Sequence, residues 1–138
     1  MAPTFTIGRL AHATGVSAKT IRYYEQVGVL PVPGRSRSGY RQYTERGVDR
    51  LLFVHRARVL GLSLRDVTAL SAALDGPPDH IRPRLRAAVR AHLVAVQRQI
   101  VELGRLQEQL EAVLHRLSTS PRRGRAGGRC RCLDVART

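Results

Sequence analysis

The sequence is poor in several residue types, and each shortage argues against a class of protein. Its 138 residues include two cysteines, no tryptophan, two phenylalanines and four tyrosines. The thiols of Cys130 and Cys132 stand one residue apart, which makes no disulfide framework and favours a reducing compartment. With so few aromatic side chains, the core must be built from Leu, Val, Ile and Ala, a composition that favours helices over a β-sandwich.

Long apolar runs and acidic side chains are also scarce. No stretch approaches the roughly 18 apolar residues of a membrane span, and the N-terminus lacks the pattern of a secretion signal, so we expect a cytoplasmic protein without a membrane partner. Ten acidic residues stand against 24 Lys and Arg, and the formal net charge is +14. Such an excess predicts a nucleic-acid partner. The sequence contains no phosphate-binding glycine loop, no nucleophile with a nearby base and no pair of carboxylates. It therefore gives no indication of an enzyme.

Residues 1–76 have the caps and the apolar spacing of four short helices. The predicted N-caps are Thr6, Ser17, Thr44 and Ser63. The first two helices are joined by a tight turn at Gly15, which predicts a helix-turn-helix. In the third helix we expect Val59 to face the core. These residues are predicted to form one DNA-binding domain.

The second helix is the predicted recognition helix. A helix in the major groove uses its early residues on bases, while basic and hydroxyl groups hold phosphates. The candidate contacts are Ser17, Lys19, Thr20, Arg22, Tyr23 and Tyr24, with Arg56 and Arg58 of the third helix as further phosphate ligands. The alternative is that Ile21 and one tyrosine belong to the core and that Arg22 is an ordinary surface charge.

Between the second and third helices, the segment LPVPGRSRSGYRQYT excludes a helix through its prolines and glycines. We predict a short β-ribbon that turns near Ser38 and Gly39 and forms a wing. Its cations would hold the DNA backbone. The residues assigned to this contact are Arg35, Arg37, Gly39, Tyr40, Arg41 and Tyr43.

After a break at residues 76–79, apolar residues recur at steps of three and four. A helix over residues 81–117 would be about 50 Å long, and most of its apolar face would have no partner within the chain. We therefore predict that residues 77–117 form a linker and a helix that pairs with a second copy in a homodimer. The predicted contacts are Leu85, Val89, Leu93, Val96, Ile100, Leu103, Leu106, Leu110 and Leu117. The tail, residues 118–138, is rich in Arg and Gly and is not expected to pack by itself.

These elements predict an all-α fold with a small β wing. Three motifs then occur in the order found in the MerR family of bacterial regulators: IGRLAHATGVSAKTIRYYE with GVL after it, GYRQY, and LGLSL. The chain resembles this family over about residues 5–117. The resemblance implies an antiparallel coiled-coil dimer on a near-palindromic promoter. It further implies that the effector-bound dimer bends and untwists the DNA so that RNA polymerase engages both promoter elements.

The resemblance also implies an effector. Metal-sensing members carry two cysteines in a loop after the dimer helix, and thiolates select soft cations such as Cu(I), Zn(II) or Hg(II). Here the first loop cysteine, expected near Leu117 or Ser118, is absent. Iron–sulfur members carry four cysteines, of which CRCL resembles the central pair, so an intact cluster is not expected. Cys130 and Cys132 are therefore metal ligands, redox-active thiols, or residues without a ligand.

Two other functions stay open at this point: a MerR-like regulator without a metal site, and a basic architectural nucleic-acid-binding protein. Net charge alone would be enough for the architectural protein, but it does not account for the ordered helix caps. A dimeric regulator protects a DNA site with defined spacing, whereas an architectural protein has little sequence preference, so footprinting would separate the two.

Overall fold

The computed structural model describes residues 3–119, and the chain forms two compact units, the first ending at His92 and the second beginning at Leu93. The predicted helical fold with a small β element and a long final helix is confirmed. The elements are β1 (Thr4–Phe5), α1 (Ile7–Thr14), α2 (Ala18–Gln26), β2 (Gly34–Arg35), β3 (Arg41–Thr44), α3 (Glu45–Val59), α4 (Leu64–Ala73) and α5 (Pro78–Thr119). None of the helices within residues 3–119 is both long and apolar enough to cross a membrane.

Hydroxyl side chains begin α1 to α4, as predicted. The side chains of Thr6, Ser17, Thr44 and Ser63 each accept a hydrogen bond from the backbone N–H three residues further on. A cap of this kind contributes about 1 kcal/mol to the stability of a helix. The starts of these helices are therefore set by interactions within a single turn, which is why the sequence predicts them.

The wing belongs to a three-stranded sheet rather than to an isolated ribbon. The strand order is β1-β3-β2, and both pairings are antiparallel. Arg35 of β2 is opposite Arg41 of β3, and Phe5 of β1 is opposite Tyr43. β1 was not predicted, because a two-residue strand is too short to show an alternation of apolar and polar residues.

Aliphatic side chains from every helix of the first unit form its core. The largest fully buried side chains are Leu10, Ile21, Leu51, Val54, Leu62 and Val67. Leu85, predicted as a dimer contact, is half-buried against this core together with Ile81 and Ala88. The expectation for Val59 is wrong, because this side chain is 73% exposed. It lies about 140° around α3 from the buried Val54 and therefore faces away from the core.

The turn between α3 and α4 is closed by a glycine and an arginine. Gly61 has a φ of +85°, and a Cβ atom added to it would lie 2.8 Å from Nε2 of His92, in the part of α5 that belongs to the first unit. Arg58 Nη1 donates a hydrogen bond of 2.7 Å to the carbonyl oxygen of Leu62. Arg58, predicted as a phosphate ligand, is exposed and also stabilises this turn.

The described part of the second unit is the remainder of α5, residues 93–119. At 1.5 Å per residue this segment is about 40 Å long. No residue of α5 is buried, and the exposed apolar side chains of the segment include Leu93, Ile100, Leu103, Leu106, Leu110 and Leu117. This face is therefore left uncovered by the other described residues of the unit.

Candidate DNA-binding interface

The exposed face of α2 carries most of the predicted base and phosphate contacts. Lys19, Arg22 and Tyr23 are exposed on this helix. At its start, Thr20 donates its backbone N–H to Ser17 Oγ at 3.1 Å, and the two hydroxyl oxygens are 2.8 Å apart. The first turn is therefore held by its own side chains, and the basic residues extend from a fixed support.

The two neighbouring tyrosines of α2 are not equivalent. Tyr23 is 49% exposed, whereas Tyr24 is 5% exposed and belongs to the core. Successive residues of a helix are rotated by about 100°, so one helix face cannot present both rings to DNA. The prediction that Tyr24 contacts DNA directly is corrected here, and Tyr23 is the candidate that stays.

The wing hairpin is held by hydrogen bonds of its own. Ser36 donates its backbone N–H to the carbonyl oxygen of Tyr40 at 2.8 Å, and Arg35 Nη1 donates to the carbonyl oxygen of Gly39 at 2.8 Å. Gly39 has a φ of +84°, a conformation that other residues adopt only with strain. Arg37 and Tyr40 are exposed at this turn, so the hairpin presents a cation and an aromatic ring to solvent.

Arg22 of α2 and Arg35 of the wing line one shallow concavity of about 210 Å³. Its full lining is Thr6, Ile7, Arg22, Arg35, Gly39, Tyr40 and Arg41. Guanidinium groups bind phosphate oxygens with a favourable geometry, so a concavity bordered by three of them is suited to a polyanionic backbone. Arg56, on the last turn of α3, is exposed but does not line this concavity.

Next to the concavity, two residues of β3 hold a buried carboxylate at the end of α2. Glu25 is 7% exposed. The Tyr43 hydroxyl donates a hydrogen bond to Glu25 Oε1, and Arg41 Nε lies 3.2 Å from Glu25 Oε2. Burial, together with the hydrogen bond to Glu25, raises the pKa of Tyr43 well above its usual value. The hydroxyl therefore keeps its proton and stays a hydrogen-bond donor at any physiological pH.

This cluster corrects two of the predicted wing contacts and adds one residue. Tyr43 is 6% exposed, so its ring belongs to the core, and the Arg41 side chain is 34% exposed with its charge opposite Glu25. Glu25 was not predicted as part of the site, although it lies four residues after Ile21, on the apolar face of α2. An acidic residue at such a position indicates a paired buried charge, since charged side chains are almost never fully buried alone.

Cys130 and Cys132, predicted as metal ligands, lie outside the described residues. Within residues 3–119, no group of three or more His, Cys, Asp or Glu side chains is placed to hold a metal ion. The part of the chain that the structure describes therefore offers no preformed metal site.

Sequence comparison agrees with this architecture. Residues 5–74 match the family described as MerR HTH family regulatory protein, and residues 48–113 match the one described as MerR, DNA binding. The chain is 37% identical over 106 residues to the mercuric resistance operon regulatory protein of Bacillus cereus. That alignment covers 77% of this chain and 80% of the relative. Relatives of this kind are transcription regulators.

Two solved structures have the same fold. PbrR691 of Ralstonia metallidurans CH34, in complex with lead(II), has a TM-score of 0.71 and 30% identity, covering 86% of this chain and 92% of its own. HiNmlR, a MerR family regulator that lacks the sensor domain and is bound to promoter DNA, has a TM-score of 0.57 and 30% identity, covering 84% and 87%. The chain belongs to the MerR family of helix-turn-helix regulatory proteins.

Proposed function

We propose that this DNA-binding regulator acts as a homodimer on a near-palindromic promoter and switches transcription by changing the shape of the promoter DNA. The observation that carries the proposal is the concavity in which Arg22 of α2 and Arg35 of the wing come together. A helix for the major groove and a wing for the flanking backbone are thus presented by one domain. The promoter-bound structure of HiNmlR, with the same fold, supports this assignment.

The two parts of the interface have different roles. Lys19, Arg22 and Tyr23 are exposed on one short helix, whose width fits the major groove, where each base pair presents a distinct pattern of donors and acceptors. Arg35, Arg37 and the exposed Tyr40 would contact phosphates, which contribute affinity but little sequence information. Specificity is therefore assigned to α2 and salt-dependent affinity to the wing.

A second copy is the proposed partner of α5. Ile100 and Leu103 are each 64% exposed, and Leu110 is 61% exposed. Burying a side chain of this size stabilises a complex by about 1.5–3 kcal/mol, so pairing of two such helices yields a large gain. Leu85 is removed from the proposed contact set because it packs within its own unit. The proposed dimer face consists of Val89, Leu93, Val96, Ile100, Leu103, Leu106, Leu110 and Leu117.

The switch would operate while the dimer stays on its site. An effector shifts a population of two conformations only if it binds them with different affinity, and each conformation imposes its own DNA shape. In the proposed active state the bent and untwisted promoter allows RNA polymerase to engage both of its elements. Chromosomal DNA as the target places the protein in the bacterial cytoplasm.

The test of this function is footprinting on a duplex that the full-length protein selects from a random-sequence pool. We expect two protected half-sites, spaced by about one helical turn of 34 Å or a multiple of it, with protection of the flanking backbone. Hydroxyl-radical cleavage measures both. An architectural protein would select no consensus and protect DNA evenly, and that outcome would contradict the proposal.

We further propose that Cys130 and Cys132 bind a soft metal ion as the effector. Two thiolates are fewer than the four ligands of a structural zinc site. Thiolates select soft cations, and a pair of them suits ions that bind few ligands, such as Cu(I) or Hg(II). PbrR691 in complex with lead(II) and the mercuric resistance regulator of Bacillus cereus support a metal effector.

Replacing Cys130 and Cys132 together by Ser is expected to abolish metal-dependent transcription and to leave operator affinity within about twofold, because neither thiol is among the proposed DNA contacts. Transcription from the selected promoter, and the metal content of anaerobically purified protein, are the two measurements. His115→Asn, on the exposed surface of α5, is the control. If the double variant still binds metal and induces normally, the tail is not the sensor.

A further inference from the structure

Glu25 is a charged group in a place where charge is costly. Its side chain is 4% exposed, and it stands on α2 next to the core residues Ile21 and Tyr24. Moving a carboxylate out of water costs several kcal/mol unless its oxygens find partners. An apolar residue would fill the same position at a lower free-energy cost. The two side chains that Glu25 contacts therefore indicate the role of its carboxylate.

Both partners of Glu25 belong to β3, and they occupy alternate positions of the strand. Arg41 and Tyr43 therefore point to the same side of the sheet. Tyr43 is separated from Glu25 by 18 positions in the sequence, so their hydrogen bond joins two distant elements. The contact of Arg41 Nε with Oε2 is close but not aligned as a hydrogen bond, and it acts as an ion pair.

The contacts of Glu25 join two elements, α2 and β3, and each of these carries a part of the proposed interface. Glu25 is in the last turn of α2, the helix that carries Arg22. Arg41 is opposite Arg35 in the β2–β3 pair, and Arg35 in turn holds the Gly39 carbonyl at the tip of the hairpin. β3 pairs with β1 on one side and with β2 on the other, but each of these neighbouring strands contributes only two residues. The Glu25 cluster is thus a direct side-chain link between α2 and the wing.

We propose that Glu25 is a positioning residue that holds the wing against α2 through Tyr43 and Arg41. This position allows Arg22 and Arg35 to contact the same stretch of DNA backbone. This inference rests on the proposed function. Glu25 touches no DNA in this scheme. Arg41 is likewise assigned mainly to neutralising the buried carboxylate, whereas Arg35 and Arg37 remain the phosphate ligands of the wing.

The salt dependence of operator binding tests the proposal, because it counts phosphate contacts. The logarithm of the binding constant falls with the logarithm of salt concentration with a slope of about −0.9 for each phosphate neutralised. Arg35→Gln should reduce the magnitude of this slope by about two in a dimer, one contact per subunit. Glu25→Gln is expected to reduce it by at least as much, because it releases the contacts of both Arg35 and Arg37, and to weaken binding about tenfold at moderate salt, although it removes no cation.

Tyr43→Phe is the second variant, since it keeps the ring in the core and deletes only the hydroxyl. It should show the same reduction of the slope and the same loss of backbone protection beside each half-site, while protection at the half-sites persists. Glu108→Gln, an exposed glutamate of α5, removes the same charge and should leave the slope unchanged. Thermal unfolding by circular dichroism confirms that all variants are folded at the temperature of the binding assay.

Combining the changes makes the test sharper. If Glu25 acts through the wing, Glu25→Gln with Arg35→Gln should lower the slope no further than Glu25→Gln alone. Unchanged slope and footprint in folded Tyr43→Phe would overturn the inference, even if Glu25→Gln failed to fold. Loss of half-site and flanking protection together would also overturn it. A wild-type protein that selects no site would refute the proposed function itself, which is a separate outcome.

Discussion

Arg22→Ala is expected to weaken operator binding by about 1–3 kcal/mol for each half-site, which corresponds to roughly 5- to 150-fold. Arg22 is exposed on α2 and lines the concavity that the wing completes. A guanidinium group at this position can donate two hydrogen bonds to a base edge or to a phosphate, and alanine donates none. The measurement is a titration of the selected duplex, followed by fluorescence anisotropy at fixed salt.

The matched control for this prediction is Arg98→Ala, which removes an exposed arginine from α5. It should leave binding within about twofold, and both variants should sediment like the wild type, since neither residue belongs to the proposed dimer face. The pattern of loss also distinguishes two roles for Arg22. A phosphate contact weakens binding to all sequences alike, whereas a base contact relaxes preference at one position of the site. Unchanged affinity would remove Arg22 from the interface.

Ile100→Asp is expected to dissociate the dimer and, with it, to reduce operator affinity by more than about 100-fold. Ile100 is 64% exposed in the middle of an apolar helix face. In the proposed dimer each copy would bury the introduced carboxylate at the interface. An unpaired buried charge costs several kcal/mol. Sedimentation at micromolar concentration measures the state of association, and anisotropy measures DNA binding.

Ala112→Asp places the same charge on the opposite side of α5, about 180° around the helix from Leu103. Ala112 is exposed, and this variant should stay a dimer with wild-type affinity for DNA. Circular dichroism should show that both variants keep their helix content. A dimeric Ile100→Asp protein would mean that another surface joins the two copies, and the assignment of the dimer face to α5 would fail.

The helices of the first unit were predictable because their signals are local. Ser17 caps α2 through the N–H of Thr20, and Thr44 caps α3 through the N–H of Gly47. Each bond closes within one turn, so a single stretch of sequence contains both partners. The period of α5 is equally local, since its apolar residues recur every three or four positions regardless of what covers them.

The roles of the aromatic and charged residues were less predictable, because the same residue type fits two environments. Tyr23 and Tyr24 have the same local chemistry, yet one is exposed and the other lies in the core. Tyr43 looked like a wing contact, but it is buried with a hydrogen bond to Glu25. In each case the outcome depends on which face of the element meets the rest of the domain.

The amino-acid sequence by itself determined the helix-turn-helix, the wing turn at Gly39 and the long amphipathic helix, because capping, left-handed turns and apolar periodicity act within a few residues. Only the tertiary structure decided which side chains of that interface stay available to DNA. Burial and hydrogen bonding join residues as distant as Glu25 and Tyr43, and such contacts contribute free energy only after folding has brought the two residues together.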